Sequence, residues 1–580
     1  MKPQELANQK AALWRSFELD NDTLAAITAL ENTDPKEFVD SFYTDLEFGT
    51  GGLRGLMGVG SNRMNRYTVG MATQGLANYM LSQATADQAL RVAIAYDARN
   101  NSAYFAQIAA QTLAANNIEV YLFDELRPTP LLSFTVRELS CMAGIVITAS
   151  HNPKEYNGYK VYWADGGQIL PPHDSGIIAE VRKLNNWSEV KTNFASEKIK
   201  SVPLDVEAAY IERVQNLCLS QDAINAQSDL SIVYTPIHGS GITLVPKVLN
   251  ALGFQNVAIV AEQATPDGNF STVSSPNPEE RAAMQMALAL GDRTSAALVM
   301  GTDPDTDRVG IAVRDAKGRL QLLNGNQAGS LLVYYRLLLS KTNKTLPANG
   351  FIGKTIVTTE LIARIAASFD VPCYNTLTGF KYIAGLIKEK EGKEVFIAGG
   401  EESYGYLVSD FVRDKDAALS AAQFAEMAAY ARSINSSLWQ LLCQLYVQHG
   451  VYAEDLVSIT LKGIDGLAQI KNLMHQFRNN PPIKLGGSLV QKIEDYQSQE
   501  AKDCVTGQRT KISLPSSNVL QFHLADGSKI SIRPSGTEPK IKFYMSLRKE
   551  IKKTWEVEEA LKQLQTRIGL IRIELGVNLI

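Results

Sequence analysis

The feature that most constrains the fold is a strand–helix–strand unit that recurs along the chain. RVAIAYDAR (91–99) reads as a buried strand, NSAYFAQIAAQTLAANN (101–117) as an Ala-rich helix and IEVYLF (118–123) as a second strand, with GIVITAS (144–150) a third. A helix between two strands carries the chain back to the starting edge of the sheet. The strands therefore run parallel, and helices cover the sheet. The order returns in DLSIVYTPIHG (229–239), LVPKVLNALG (244–253), NVAIVA (256–261) and SAALVMGTDPD (295–305), and again in GFIGKTIVTTE (350–360), LIARIAASFD and VPCYNTLTG. No two cycles are near-identical. Three α/β domains of similar internal order, with mixed or mostly parallel sheets, are predicted.

After about residue 455 the texture changes. LQFHLADGSKISIRPSG (520–536) and KIKFYMSL (540–547) alternate apolar and polar residues around turns, and KKTWEVEEALKQLQTRIGLI reads as a helix. This pattern predicts a smaller C-terminal α+β domain. Residues 1–45 carry helical periodicity and are expected to form a leading cap. The predicted domains are 1–220, 221–325, 326–452 and 453–580. That count agrees with 580 residues at a typical size of about 150 per domain. No low-complexity linker separates them, so close packing around a common cleft is expected.

Charge narrows the function. Lys and Arg total 57 against 61 Asp and Glu, a formal net charge of -4. A binder of nucleic-acid backbones would usually carry a basic surplus, and no RRM, KH or zinc-finger signature occurs. Neither GxxxxGK[ST] nor a GxGxxG loop opening a helix is present, which disfavours ATP-dependent phosphotransfer. The 5 cysteines contain no CxxC pair and suggest neither a zinc site nor a disulfide framework. The opening MKPQELANQKAALWRSF is polar, and no run of roughly 18 apolar residues occurs. A cytoplasmic protein without membrane or nucleic-acid partners is expected.

Four loops carry chemistry. In TASHNPKEYNGYKVYWADGG (148–167), Ser150 follows an apolar strand, where ligands of α/β sheets collect, beside His151, Asn152 and Lys160. It reads as a nucleophile or a phosphate carrier, or else as an ordinary turn capping a helix. In GTDPDTDRVG (301–310), Asp303, Asp305 and Asp307 crowd three carboxylates together. Such oxygen ligands suit a hard cation such as Mg2+, and like charges this close need compensation. The loop is not an EF-hand, because Arg308 and Arg314 stand where Gly and Glu are required; a solvated acidic turn is the other reading. In AGGEESYGYLVSDFVRDKDA (398–417), Glu401, Glu402 and Ser403 can hold neighbouring sugar hydroxyls. Alternatively, Asp416 starts the next helix and Arg413 and Lys415 are solvated. Lys381 in TGFKYIAG reads first as a surface lysine. In SIRPSGTEPKIKFY (531–544), Arg533, Ser535, Gly536 and Thr537 combine a guanidinium, two hydroxyls and a flexible backbone, which together can wrap a phosphate.

TASHNPKEYNGYK, GTDPDTDR, GGEESYG and RPSGTEPK, in that order and with FGTGGLRG at 48–55, closely resemble the α-D-phosphohexomutase family. The resemblance spans about residues 40 to 550. It implies three α/β domains and a C-terminal domain of another fold around a central cleft. It implies that Ser150 is the phosphoserine, that Asp303, Asp305 and Asp307 bind Mg2+ with its phosphate, and that Glu401 and Ser403 contact sugar hydroxyls. Arg533, Ser535, Gly536 and Thr537 would hold the phosphate that is not reacting. Arg54 and Arg308 would join the charged set, with Lys381 a further candidate for substrate binding. Lys160 resembles the family's proton shuttle, with Lys415 and His151 as alternatives.

The implied reaction is Mg2+-dependent interconversion of glucose 1-phosphate and glucose 6-phosphate through a sugar 1,6-bisphosphate, which also serves as activator. Mannose phosphates are further candidate substrates. Two departures stand out: Thr306 occupies a position where many relatives have alanine, and the long sugar loop resembles a branch that also holds phosphopentomutases and sugar-bisphosphate synthases. The alternatives are therefore a phosphopentomutase, a glucose 1,6-bisphosphate synthase and, outside enzymes, a phosphosugar-binding protein. Small phosphorylated sugars are the expected partners. No obligatory protein partner is expected, because one chain supplies all four loops.

Overall fold

Three sheets repeat one plan. In the computed structural model, which describes residues 2–49, 51–85, 89–461, 463–535 and 540–577, the first sheet orders its strands Gly52–Leu56, Tyr156–Trp163, Ala143–Ile147, Arg91–Tyr96, Glu119–Leu122 and Ile199–Ser201. The last four run parallel, whereas Tyr156–Trp163 and Gly52–Leu56 are antiparallel additions at one edge. The second sheet orders Leu320–Leu322, Val309–Arg314, Leu298–Thr302, Ile232–Thr235 and Val257–Ile259, again with antiparallel strands at one side. The third orders Cys373–Thr376, Gly350–Thr355, Val395–Gly400 and the short antiparallel Tyr406–Leu407. The strands predicted from apolar runs fall where expected. Val92, Ala93, Ile94 and Ala95 are all fully buried, because helices cover both faces of a parallel core and leave no polar side.

The C-terminal sheet has eight strands, and its pairings are all antiparallel. Helices Gly463–Asn479 and Val557–Glu574 accompany it. One apolar cluster runs without a break from Ala93 through Leu298, Phe351 and Leu419 to Ile568. The four units therefore share buried surface, as the missing linkers suggested.

The leading residues form helices Pro3–Arg15, Asn21–Thr33 and Pro35–Phe42. Their Trp14 ring packs 5.7 Å from both Phe42 and Tyr67, and Tyr67 in turn lies 4.8 Å from Trp187. Edge-on aromatic contacts of this kind fasten the cap to the first sheet's helices. Among the described residues, no helix is long and apolar enough to cross a membrane.

Candidate active site

The plan shared by the three sheets places three of the loops alike. Each follows the parallel strand that neighbours the antiparallel one: Ala143–Ile147 leads to Ser150, Leu298–Thr302 to Asp303, and Val395–Gly400 to Glu401. Each loop also holds one non-glycine residue in the left-handed region, Ser150 at φ 53°, Thr306 at φ 58° and Tyr404 at φ 64°. Such backbone is uncommon for side-chain-bearing residues and clusters at functional turns. The Ser150 loop runs into a strand, so the helix-capping reading of that serine does not hold.

Ser150 is buried, and its hydroxyl donates to Asp303 Oδ2 at 2.8 Å across the junction between the first two units. His151 Nδ1 lies 3.3 Å from Ser150 Oγ. The loop is held from below. Arg99 donates to the carbonyls of Ser150, Asn152, Pro153 and Tyr156. Thr148 Oγ1 accepts from the Ser150 backbone N–H at 2.8 Å and donates to Asp97 Oδ2 at 2.6 Å.

The aspartates converge as expected. One carboxylate oxygen from each of Asp303, Asp305 and Asp307 lies within 4.8 Å of the others, and all three residues are buried. Asp305 Oδ2 accepts from Thr129 Oγ1 at 2.9 Å and from Lys160 Nζ at 2.7 Å. Asp307 Oδ2 lies 3.0 Å from Lys160 Nζ and 3.1 Å from Lys415 Nζ. Asp305 Oδ1 and Asp307 Oδ1 are buried without a hydrogen-bond partner among the described residues, although Arg308 Nε lies 3.8 Å from Asp307 Oδ1. Buried carboxylate oxygens left bare are costly, and an oxygen-ligated cation would satisfy them. The donor set fits a hard divalent metal.

Burial and the charges of Asp305 and Asp307 push the Asp303 carboxyl well above its ordinary range. Burial also opposes ionisation of Asp307, but Lys160, Lys415 and Arg308 outweigh it and hold that carboxyl low. Lys160 and Lys415 are both raised: burial lowers each, and the facing carboxylates more than restore them. His151 is held well below its ordinary value by burial and by Arg308 and Arg54, so its ring is neutral.

On the third side, Glu401 Oε1 accepts from the Gly379 N–H at 2.9 Å. Burial lifts Glu401 to about 7, with Lys415 opposing and Glu402 assisting. Glu402 is occupied by Thr355 and Thr358, 3.3 and 3.2 Å from Oε2. Lys415 and Arg413 are not solvated: Lys415 is 12% exposed and contacts Asp307 and Asp414, and Arg413 is fully buried beside Glu391. A Cβ at Gly405 would stand 2.0 Å from Lys415 Cδ, so only glycine lets that lysine reach the aspartates. Asp416 does cap the helix Ala417–Ser433, accepting from the Leu419 N–H at 2.9 Å.

A cleft of about 1010 Å³ joins these groups. Its lining includes Arg54, Ser150, His151, Lys160, Asp307, Arg308, Glu401, Ser403 and Lys415, and on the C-terminal side Arg533. Ser535 is placed just beyond Arg533, its N–H donating to the Lys540 carbonyl at 2.7 Å. Gly536 and Thr537 lie outside the described residues. Lys381 is not in the lining; its ammonium lies 5.3 Å from the Tyr382 ring on the helix Phe380–Lys390.

Several site residues escaped the sequence reading. Lys540, Lys542 and Tyr544 line the cleft beside Arg533, and Lys542 is the cross-strand neighbour of Arg533. Strand alternation in KIKFY was the available signal, since residues two apart share a face. Glu279, which pairs with Arg308 at 2.5 Å, and Thr129 carried no local signal.

A buried serine on an acidic triad shares one cleft with Arg533, Lys540 and Lys542, an arrangement whose charges suit phosphate groups and a divalent cation. Models of the phosphoglucomutase/phosphomannomutase α/β/α domains I, II and III match residues 45–187, 208–318 and 324–448. The chain is 40% identical over 520 residues to a phosphoglucomutase of Staphylococcus epidermidis, covering 89% of this chain and 93% of that protein. It is 38% identical over 546 residues to one from Staphylococcus aureus, with 94% and 96% covered. Among solved structures, the phosphoglucomutase pp63/parafusin of Paramecium in its open form matches with a TM-score of 0.70 at 18% identity, covering 92% of this chain and 95% of that one. A putative phosphomannomutase of Thermus thermophilus gives 0.65 at 21%, with 91% and 99% covered; these two likenesses concern the fold. The chain belongs to the phosphoglucomutase/phosphomannomutase family, the α-D-phosphohexomutases.

Proposed function

We propose that this protein is a phosphoglucomutase, an intramolecular phosphotransferase that interconverts glucose 1-phosphate and glucose 6-phosphate through a phosphorylated Ser150 and a sugar 1,6-bisphosphate. The observation that carries this reading is the Ser150 hydroxyl on Asp303 at 2.8 Å, inside a buried acidic triad that opens on a cleft with Arg533 in its far wall. The four domains, taken as 1–220, 221–325, 326–452 and 453–580, each supply one wall.

Asp303, Asp305, Asp307 and the Ser150 phosphate would hold Mg2+, which when bound neutralises charge on the transferred phosphoryl group and the leaving oxygen. In the first half-reaction the free sugar hydroxyl attacks the phosphorus on Ser150. The new P–O bond forms as the bond to Oγ breaks, and the hydroxyl proton passes to a basic side chain. Lys160 is the expected carrier of that proton, and to accept it the lysine must first be free of the proton that Asp305 and Asp307 now hold on it. His151, neutral beside the serine, can accept one directly, and Lys415 stands on the same carboxylate with its charge likewise held. Glu401 and Ser403 take the sugar hydroxyls, while Arg308 and Arg54 add positive charge to the wall. Arg533, Ser535, Gly536 and Thr537 grip the phosphate that is not reacting; the adjacent Lys540 and Lys542 extend that wall. After the bisphosphate turns over, its other phosphate returns to Ser150. No ATP is consumed.

Coupled rates with glucose 1-phosphate, mannose 1-phosphate and ribose 1-phosphate, each with Mg2+ and a trace of the matching bisphosphate, test the reading. Glucose should give the highest kcat/KM. A ribose preference would overturn it in favour of a phosphopentomutase.

A further inference from the structure

Outside the catalytic cleft, the junction between the third α/β unit and the C-terminal domain holds a crevice of about 730 Å³. Arg364 enters it from the helix Glu360–Ser368, whereas Arg548 and Arg567 come from the C-terminal domain's strand Lys540–Lys549 and helix Val557–Glu574. The cationic groups exceed the counter-charges there. Arg364 donates its Nε to the neutral Tyr452 hydroxyl at 3.0 Å, and neither of its terminal nitrogens has a hydrogen-bond or carboxylate partner among the described residues. Arg548 donates to the His449 carbonyl and to Glu550, a residue with 80% of its side chain in solvent. Arg567 is paired with Asp526, yet its Nη2 is buried without a partner.

The space beside Gly527 is bordered by the side chains of both Arg364 and Arg548. A Cβ there would meet Arg548 Cδ at 3.4 Å and Arg364 Nη2 at 3.5 Å, on a backbone at φ 84° that side chains disfavour. Two guanidinium groups border this one space, and of the two carboxylates lining the crevice Asp526 is paired with Arg567 and Glu550 is exposed, so a shared anion would offset their mutual repulsion. Guanidinium forks match phosphate oxygens in pairs. Gln491 on the rim offers an amide to hydroxyl or carbonyl groups, whereas the Gln563 amide is taken up by Lys549 and Glu559.

We infer that this crevice is a second phosphate-binding site, which takes a phosphate dianion, free or carried by a small metabolite, between Arg364 and Arg548. An occupant would touch both the third unit and the C-terminal domain. Its binding would therefore favour one setting of the joint over others.

Calorimetric titration of the full-length protein without Mg2+, using inorganic phosphate in one arm and fructose 1,6-bisphosphate in the other, tests the inference. Wild type should show a binding event beyond that of the cleft. Arg364→Gln should weaken that event about tenfold or more, as expected for a lost charge-assisted contact, while leaving basal mutase turnover unchanged. Arg548→Gln should do the same for binding, and Arg533→Ala should leave this event intact while weakening the cleft's. Tighter binding of the bisphosphate would identify a metabolite as the occupant, and equal binding would identify free phosphate. Unchanged stoichiometry and affinity in both Arg364→Gln and Arg548→Gln, with thermal unfolding like wild type, would overturn the inference.

Discussion

The two ends of the cleft are built differently. At the serine end the groups are tied to one another: Ser150 to Asp303, Thr129 and Lys160 to Asp305, Lys160 and Lys415 to Asp307, with one oxygen each of Asp305 and Asp307 left for a cation. Ser150 is 3% exposed and Asp303 and Asp305 are fully buried. At the far end, Arg533, Lys540 and Lys542 are only half-buried on adjoining antiparallel strands. Preorganised charge in a dry site is worth far more than the same charge in water, so the rigid end suits the chemistry. The wetter end would suit the proposed reaction, in which two phosphates on different faces of one sugar are gripped in turn. Rigid placement there would favour one half-reaction over the other.

That contrast predicts a graded set of losses. Replacing Ser150 by Ala should abolish mutase turnover, by about 10⁴-fold or more, and remove the phosphate from the intact protein mass. Turnover like wild type in a coupled glucose 1-phosphate assay would break the assignment of the rigid end. Asp305→Asn keeps the shape but removes a charge from the triad. It should lower kcat by about 10²- to 10³-fold and raise the Mg2+ concentration needed for half-maximal rate, and EDTA should silence the wild type reversibly.

Changing the far end should cost less and act differently. Arg533→Ala is expected to raise KM roughly tenfold to a hundredfold in both reaction directions, with kcat changing less than KM. A fall confined to kcat would place Arg533 with the reacting groups and erase the contrast.

The smallest effect concerns Glu401, raised from 4.5 to about 7 mainly by burial. Its ionised form is the stronger acceptor of sugar hydroxyls, so sugar affinity should strengthen as pH rises through about 7, and Glu401→Gln should flatten that step in KM. The sign for stability is opposite. A carboxyl raised by folding favours the neutral form, so its contribution is fully present below about pH 4.5 and is lost as pH rises through about 7. Thermal unfolding of the wild type and of Glu401→Gln across that window measures it.

Much of this was legible in the chain. Apolar runs such as 91–96 and 143–147 marked buried parallel strands, because a strand covered on both faces has no polar alternation to hide behind. The loops at Ser150, Asp303 and Arg533 stood out because chemistry-bearing residues crowd into a few positions. Lys381 did not join them in the cleft lining, since position beside a glycine says nothing about which way a helix turns its side chains.

The sequence by itself determined the repeated α/β plan, the antiparallel ending and the residue types in four loops. Local periodicity and short-range spacing carry that information. Only the tertiary structure decided that the three α/β loops leave equivalent strands, that Lys160 and Lys415 meet on Asp307, and that Thr129 reaches Asp305 from 176 residues away. Those contacts depend on how whole sheets pack against one another, and no spacing within a single segment encodes that.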